Sequence, residues 1–159
     1  MNRFSFKKID AFAAAGSSGN PAACVYLTEE AAPEDMQRIA RELGGFVSEV
    51  VYCLPAGEDG IDYSLRYYSS ECEVAFCGHG TIACLYDLIV HDPDLRGRGE
   101  IMIRTPKGEL TVYNRIEATD AVFISAPLPA PTGFTTKTTE SDGLATGNDA
   151  LPSKTTGRA

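Results

Sequence analysis

The pattern of hydrophobic and polar positions along the chain predicts about seven strands. Short segments that are apolar throughout, or that alternate apolar with polar residues, are typical of strands when they are rich in β-branched and aromatic side chains. Such segments fall at residues 4–13, 22–27, 47–54, 62–69, 100–105, 109–115 and 121–125, while residues 71–76 are less clearly patterned. Turn residues separate them at 13–21, 55–60 and 106–108, and the last of these turns predicts a hairpin.

Two helices of different character interrupt the strands. The first runs from Pro33 to about Leu43, because proline suits a first helical turn and Gly44-Gly45 ends the helix. Its apolar residues are spaced to form one buried stripe: Met36, Ile39, Ala40 and Leu43. The second helix, over residues 82–90, is apolar on all sides, as is typical of a helix buried in the middle of a fold. Hairpins around such a helix predict an α+β fold whose sheet curls round it.

The composition of the chain changes after residue 131. Residues 132–159 are rich in Thr, Ser and Gly and contain three large apolar residues: Phe134, Leu144 and Leu151. Such a segment is typical of a linker or a disordered tail. We therefore expect one folded domain over residues 1–131 and a tail over residues 132–159.

Composition and charge exclude several classes of function. The 159 residues include 22 acidic and 14 basic side chains, for a formal charge of −8, which disfavours binding to nucleic acid and to anionic membranes. The apolar runs are too short to cross a bilayer, and no apolar signal core follows Met1. The five cysteines are an odd number and predict free thiols in a reducing cytoplasm, with Cys24, Cys53 and Cys84 as small buried hydrophobes.

The segment Cys77-Gly78-His79-Gly80-Thr81, directly before the second helix, is the most specific candidate site. Glycines let a ligand approach the backbone, and the first amides of a helix are unpaired and partly positive, so the segment suits a carboxylate. His79 adds a proton carrier near neutral pH. The alternative is a glycine turn before a core helix with His79 as its cap, and the spacing alone does not decide between them.

Asn20 and Glu49 are two further candidates. Asn20 stands between a glycine and a proline, where its amide can hold a polar group of a substrate, although a plain turn has the same sequence. Glu49 lies in an otherwise apolar strand. Its side chain is either on a solvent-exposed face of the sheet or partly buried, and partial burial would give it the raised pKa that a general acid/base needs.

The remaining polar residues are weaker candidates for a functional site. His91 and the acidic residues of Glu71-Cys72-Glu73 have the pattern of surface residues. Cys72, Cys77 and His79 are in principle zinc ligands, but a four-ligand spacing is absent, so we expect no metal.

Read in order, these segments resemble the PhzF-like family of phenazine-biosynthesis isomerase homologues. The resemblance covers roughly residues 4–128 and rests on the following segments: Ile9-Asp10-Ala11-Phe12, Gly19-Asn20-Pro21-Ala22-Ala23, the helix from Met36 to Leu43, Ser48-Glu49-Val50-Val51, Tyr67-Tyr68-Ser69-Ser70 and Cys77-Gly78-His79-Gly80-Thr81. It implies the diaminopimelate-epimerase-like fold. In that fold two similar halves each wrap a sheet round a central helix, and the active site lies between the halves.

The resemblance also implies a reaction. It implies an isomerase without metal or organic cofactor, which moves a proton between carbon atoms of a small carboxylic acid. The acid/base glutamate of the family aligns with Glu49, its glycine–histidine pair with Gly78 and His79, and its loop asparagine with Asn20. Glu49 and His79 are therefore the predicted catalytic residues. The predicted substrate-binding residues are Asn20, Cys77, Gly78 and Gly80.

Members of that family are roughly twice as long as this chain. Their second half forms the other wall of the cleft, so we expect that a second domain is absent here. Either the chain is a truncated product, or a second copy of the chain or another polypeptide completes the site. Cys-Gly-His-Gly-Thr also resembles the proline-racemase motif, which makes Cys77 an alternative catalytic base. A third alternative is an inactive domain that binds a small acid or a protein. In a completed enzyme, the first interpretation predicts that Cys77→Ala keeps activity and Glu49→Gln loses it.

Overall fold

The computed structural model describes residues 3–58, 60–125 and 153–154. The strands are β1 (Lys7–Ala11), β2 (Asn20–Tyr26), β3 (Glu49–Glu58), β4 (Ile61–Tyr68), β5 (Glu73–Val74), β6 (Glu100–Thr105), β7 (Gly108–Arg115), β8 (Ala121–Ile124) and β9 (Ser153–Lys154). The helices are α1 (Pro33–Glu42), α2 (Gly78–His91), α3 (Pro93–Arg96) and α4 (Ile116–Thr119).

All nine strands of the described part belong to one mixed sheet. Its order is β1-β2-β3-β4-β6-β7-β8-β9, and the short β5 pairs with β4. The pairs β2–β3 and β4–β6 are parallel, and the others are antiparallel. Ala22 of β2 lies opposite Glu49 of β3. Because the two strands are parallel, both begin at the same edge of the sheet, and this edge carries the candidate site.

Helix α2 lies inside the curl of the sheet. It contacts β1, β2 and β3 at one end of the strand order and β8 near the other end, which requires the sheet to curve around it. Ile82, Leu85 and Ile89 are fully buried in the core cluster that the helix forms with the inner face of the sheet. Burial of each such side chain contributes about 1.5–3 kcal/mol. The predicted α+β fold, with a mixed sheet curled round a central helix, is therefore confirmed.

Helix α1 packs on the outer face of the sheet. Met36 and Ala40 are buried there in a second core cluster with Val50 and Tyr52 of β3. The buried hydroxyl of Tyr52 donates a hydrogen bond to the carbonyl oxygen of Met36 at 2.8 Å. The predicted amphipathic helix is thus confirmed, and its last helical residue is Glu42.

The prediction that the second helix is buried on all sides is wrong for its C-terminal half. The carboxylate of Asp87 accepts hydrogen bonds from Tyr26 at 2.6 Å and from Lys7 at 2.8 Å, and His91 is exposed. The Tyr86 hydroxyl donates to the carboxylate of Asp120 at 2.6 Å. These partners satisfy one polar face on a helix whose sequence is mostly apolar.

Several predicted boundaries of the strands are also wrong. The first strand is shorter than residues 4–13, since it ends before Phe12, which has a positive φ of 59°. Strand β3 continues through most of the predicted turn over residues 55–60 and ends at Glu58. The pairing of β3 with β4 shifts in register between Pro55 and Glu58. Proline is tolerated at such an irregularity because it has no backbone N–H to donate to the neighbouring strand. The short strand β5 lies within the less clearly patterned residues 71–76, and β9, α3 and α4 have no predicted counterpart.

Most of the predicted tail, residues 132–159, lies outside the described residues. Ser153–Lys154 pair with β8 as strand β9, and the division into a domain and a tail stays a prediction. No helix within the described ranges is both long and apolar enough to span a bilayer. All five cysteines are free; Cys24, Cys53 and Cys84 are buried as predicted, and Cys72 is exposed.

Candidate active site

The candidate site lies where β2, β3 and α2 all begin. The carbonyl oxygen of Pro21 accepts two hydrogen bonds from Ser48, one from its backbone N at 3.3 Å and one from its Oγ at 2.9 Å. These bonds hold the entry to β3 against β2 and place Glu49, the first residue of β3, opposite Ala22. The start of α2 packs over the same edge through Gly80.

Gly80 allows the first turn of α2 to touch β3. A Cβ at this position would lie 2.6 Å from Cγ2 of Val51 and 3.0 Å from Sγ of Cys77, so a larger residue has no room. The backbone N–H of Gly80 donates to Sγ of Cys77 at 3.3 Å, which makes Cys77 the N-cap of the helix. The structure thus gives Gly80 a packing role, and its contact with a substrate stays a prediction.

Glu49, His79 and Cys77 lie next to one another, as the sequence predicts for a shared site. Oε2 of Glu49 is 3.0 Å from Nε2 of His79, and Nδ1 of the same ring is 3.3 Å from Sγ of Cys77. The Oγ of Ser48 lies 3.2 Å from Nε2 of His79. The imidazole therefore lies between the carboxylate and the thiol, and the Ser48 hydroxyl contacts the nitrogen that faces Glu49.

The Glu49 carboxylate has one oxygen without a hydrogen bond. Its side chain is 24% exposed, but Oε2 itself is buried. Despite the short distance to His79, Oε2 accepts no well-directed hydrogen bond from the described residues. A buried oxygen in this condition is costly, and a ligand that brings a proton or a donor to it relieves the cost.

The backbone at the start of α2 offers two further donors. The N–H of Thr81 is bonded to the carbonyl oxygen of Cys77 at 3.0 Å, and that of Gly80 to Sγ of Cys77. The N–H groups of Gly78 and His79 precede the first intrahelical bond and have no partner in the described part of the chain. Such amides at a helix N-terminus favour a negative charge beside them.

Cys77 is a protonated cap under neutral conditions. Its burial raises the pKa of the thiol to about 12; the N–H of Gly80 lowers it, and the negative charge of Glu49 raises it further. The side chain is only 6% exposed. The thiol therefore serves the helix start as a hydrogen-bond acceptor and is a weak base toward a substrate.

Asn20 and Cys72 lie outside the cluster that Glu49, Cys77 and His79 form. Asn20 is exposed at the first residue of β2, on the same edge of the sheet as Glu49, and its predicted role in binding stays a prediction. Cys72 is exposed and has Oγ of Ser69 at 3.9 Å. Within the described ranges, the three residues whose ligand atoms lie within 4.8 Å of one another are Glu49, Cys77 and His79, so Glu49 stands in this group instead of Cys72.

Ser48 is the functional residue that the sequence did not single out. Its hydroxyl reaches both the carbonyl oxygen of Pro21 and the ring of His79. The only signal was its position directly before Glu49. The contact with His79 spans 31 residues of sequence, and therefore no local pattern predicts it.

Several known proteins are similar to this chain in sequence and in fold. The family model of phenazine biosynthesis-like proteins (PhzC-PhzF) matches residues 9–156. An uncharacterized isomerase of Pseudomonas aeruginosa is 32% identical over 139 residues, which are 87% of this chain and 50% of the relative. The trans-2,3-dihydro-3-hydroxyanthranilate isomerase of Pseudomonas fluorescens is 30% identical over 123 residues, 77% of this chain and 41% of the relative.

A solved structure of a PhzF-family protein is also similar to this chain in fold. The phenazine biosynthesis protein of the PhzF family from Bacillus anthracis superposes with a TM-score of 0.65 at 29% identity, covering 78% of this chain and 40% of that protein. The chain therefore spans half or less of the length of these relatives. The match to residues 9–156 also extends beyond residue 128, where the resemblance seen in the sequence ended.

Proposed function

Because the chain belongs to the family of phenazine biosynthesis-like proteins, we propose that it carries one wall of an isomerase active site in which Glu49 moves a proton between two carbon atoms of a small carboxylic acid. The proposal uses no metal and no organic cofactor. The isomerase of Pseudomonas fluorescens, named for trans-2,3-dihydro-3-hydroxyanthranilate, supplies a first candidate substrate.

The observation that carries the proposal is the position of the Glu49 carboxylate. Its Oε2 is buried beside His79 and accepts no well-directed hydrogen bond within the described ranges, while the side chain is still 24% exposed at the edge of the sheet. Nε2 of His79 lies 3.0 Å away and stabilises the negative charge when the ring is protonated. A base for proton abstraction must reach its proton directly, and the exposed part of the carboxylate gives Glu49 that access.

The reaction balances without a second base. The Glu49 carboxylate takes a proton from one carbon, and the electron pair of that C–H bond moves into the conjugated system of the substrate. The neutral carboxyl group then returns the same proton to another carbon on the same face. Substrate and product have the same atoms and charge, and Glu49 ends as the carboxylate.

The start of α2 suits the charge that develops during this transfer. The free N–H groups of Gly78 and His79 are fixed before the substrate arrives, so they stabilise an anion without reorganisation. Fixed donors of this kind are worth roughly 10²–10³-fold in rate each. Asn20, exposed on the same edge, is placed to hold a polar group of the substrate.

We also propose that a second body completes the site. Asn20 and Ser48 are exposed and the Glu49 side chain is 24% exposed, so this wall is open on one side. The relatives are at least twice the length of the matched segment. A further domain, a second copy of this chain or another polypeptide would then cover the open side and exclude water from the proton transfer.

Cys77 supports a second candidate, a racemase that uses its thiolate. The observation in favour is the 3.3 Å contact between Sγ of Cys77 and Nδ1 of His79, which resembles a nucleophile beside its base. Against it, Sγ is already the acceptor for the N–H of Gly80 and is nearly inaccessible. The first candidate is therefore favoured.

The test is deuterium incorporation into a substrate in heavy water. The purified chain is incubated with trans-2,3-dihydro-3-hydroxyanthranilate, and proton NMR follows exchange and isomer formation across protein concentrations whose mass distribution is known from light scattering. We expect Glu49→Gln to lower the rate by roughly 10²–10⁴-fold, since this is what a general base contributes.

Two variants serve as controls. Glu71→Gln removes an exposed carboxylate away from the cluster and is expected to keep the rate. Cys77→Ser keeps a side-chain acceptor for the N–H of Gly80, and its activity separates the two candidates. Activity that survives Glu49→Gln and disappears in Cys77→Ser would establish the racemase. Binding of the acid without any exchange would establish an inactive binding domain.

A further inference from the structure

We infer that the Glu49–Cys77–His79 cluster is a binding site for a thiophilic divalent cation of the Zn²⁺ type. Carboxylate, thiolate and imidazole are the three ligand types that proteins use for zinc. Their ligand atoms here lie within 4.8 Å of one another.

The distances fit a tetrahedral ion bound through Nε2 of His79. With bonds of about 2.3 Å to sulfur and about 2.0 Å to nitrogen or oxygen, a tetrahedral centre holds its ligand atoms about 3.3–3.6 Å apart. Nε2 of His79 is 3.8 Å from Sγ of Cys77 and 3.0 Å from Oε2 of Glu49. Shifts of a few tenths of an ångström bring both pairs to that spacing.

One further feature favours a cation at this place. Oε2 of Glu49 is a buried carboxylate oxygen without a hydrogen bond in the described part of the chain, and a metal ion would satisfy it. The Oγ of Ser48, which lies 3.2 Å from Nε2 of His79, must give up that nitrogen when the ion binds. With three protein ligands, the ion would keep a fourth position for water or a carboxylate.

Bound cation would act as an inhibitor of the transfer described above. It would occupy the carboxylate of Glu49, the group that must receive the substrate proton, and it would hold His79 as well. Only this inhibition rests on the proposed function, since binding of the ion requires no activity.

The test is a titration of the untagged, metal-free chain with Co²⁺, a spectroscopic substitute for Zn²⁺. We expect one equivalent per chain, visible bands of a tetrahedral centre and a near-ultraviolet charge-transfer band from the Cys77 thiolate. Zn²⁺ should abolish both signals by displacement. Glu49→Gln and His79→Gln should each raise the dissociation constant more than about tenfold, because even indirect partners of a metal are worth that much.

Cys77→Ser and Cys72→Ser form the matched pair of variants. The first keeps an N-cap hydroxyl for α2 and should lose the charge-transfer band, and circular dichroism checks that it is folded. The second removes the exposed cysteine beside Glu71 and Glu73 and should leave the spectrum unchanged. A titration without the band, or a band lost in Cys72→Ser and kept in Cys77→Ser, would overturn the inference. Neither result bears on deuterium exchange measured without metal, so the two proposals fail separately.

Discussion

Replacing Gly80 by alanine should destabilise the protein, although alanine is the better helix former. The added Cβ would lie 2.6 Å from Cγ2 of Val51 and 3.0 Å from Sγ of Cys77. Carbon atoms in contact prefer about 3.5–4.0 Å, so the overlap with Val51 is about 1 Å. Val51 is fully buried, and its β-branched side chain has few alternative rotamers, so the helix itself must move.

The expected cost follows from two opposing effects. Overpacking of a well-packed core costs about 1–3 kcal/mol. Exchange of glycine for alanine in a helix gains up to about 1 kcal/mol, and less in a first turn. We therefore expect Gly80→Ala to lose roughly 1–2 kcal/mol in the free energy of unfolding. The displacement should also separate His79 from Glu49.

Urea unfolding followed by circular dichroism measures this cost, and Gly78→Ala is the matched control. A Cβ at Gly78 would have its nearest neighbour, Cε1 of Phe76, at an ordinary 3.9 Å, so its stability should stay within about 0.5 kcal/mol of the parent. Adding Val51→Ala to Gly80→Ala should cost less than the sum of the single changes, because it removes the clash. Equal stability of the two alanine variants would refute the assigned contact.

Three further predictions concern other parts of the molecule. Thr81→Val should cost more stability than Tyr67→Phe in urea unfolding, because it leaves the buried Tyr67 hydroxyl without its 2.7 Å partner; equal costs would contradict this. Arg98 donates to Asp62 and lowers the pKa of that carboxyl, so its stabilising effect is complete above about pH 4 and lost as the pH falls through the lowered value. Asp62→Asn should accordingly be less stable than the parent at pH 7, with a difference that shrinks below about pH 4; a constant difference would be evidence against the ion pair. Maleimide labelling of the native chain, read by mass spectrometry, should modify Cys72 first, and prior labelling of any other cysteine would contradict the described burial.

The parts of the fold that the sequence predicts are those with a local periodic signal. The helical spacing of apolar residues such as Met36 and Ala40 predicts α1, and in the structure both residues face the same core cluster. The apolar run over residues 82–90 likewise predicts that α2 is central. Its polar side at Asp87 was missed because the partners, Lys7 and Tyr26, lie more than 60 residues away in sequence. Short elements such as α3 and α4 are too brief to show a period.

The candidate site, too, could be predicted only in part from the sequence. Its residues could be listed from the ordered motifs, including Glu49 and His79. Their contact could not be predicted, since it depends on the parallel pairing of β2 with β3 and on the packing of α2 over β3. Gly80 illustrates the difference. From the sequence alone, a glycine at this position indicates a ligand that approaches the backbone. In the structure, Cγ2 of Val51 lies 2.6 Å from where a Cβ of residue 80 would be, so packing against β3 already requires a glycine there.

The packing of α2 and the geometry of the site depend on one contact. Glu49, Val51 and Cys53 alternate along β3, so their side chains point to the same face of the sheet, and Val51 and Cys53 belong to the core around α2. Gly80 sets the distance between α2 and Val51, and His79 precedes Gly80 directly, so the same approach sets the distance from His79 to Glu49. A carboxylate is tolerated on this inner face because Glu49 is the first residue of the strand, at the rim, where its side chain is still 24% exposed. Two residues further along, Val51 is fully buried, and a carboxylate there would have no water and no cation to balance its charge.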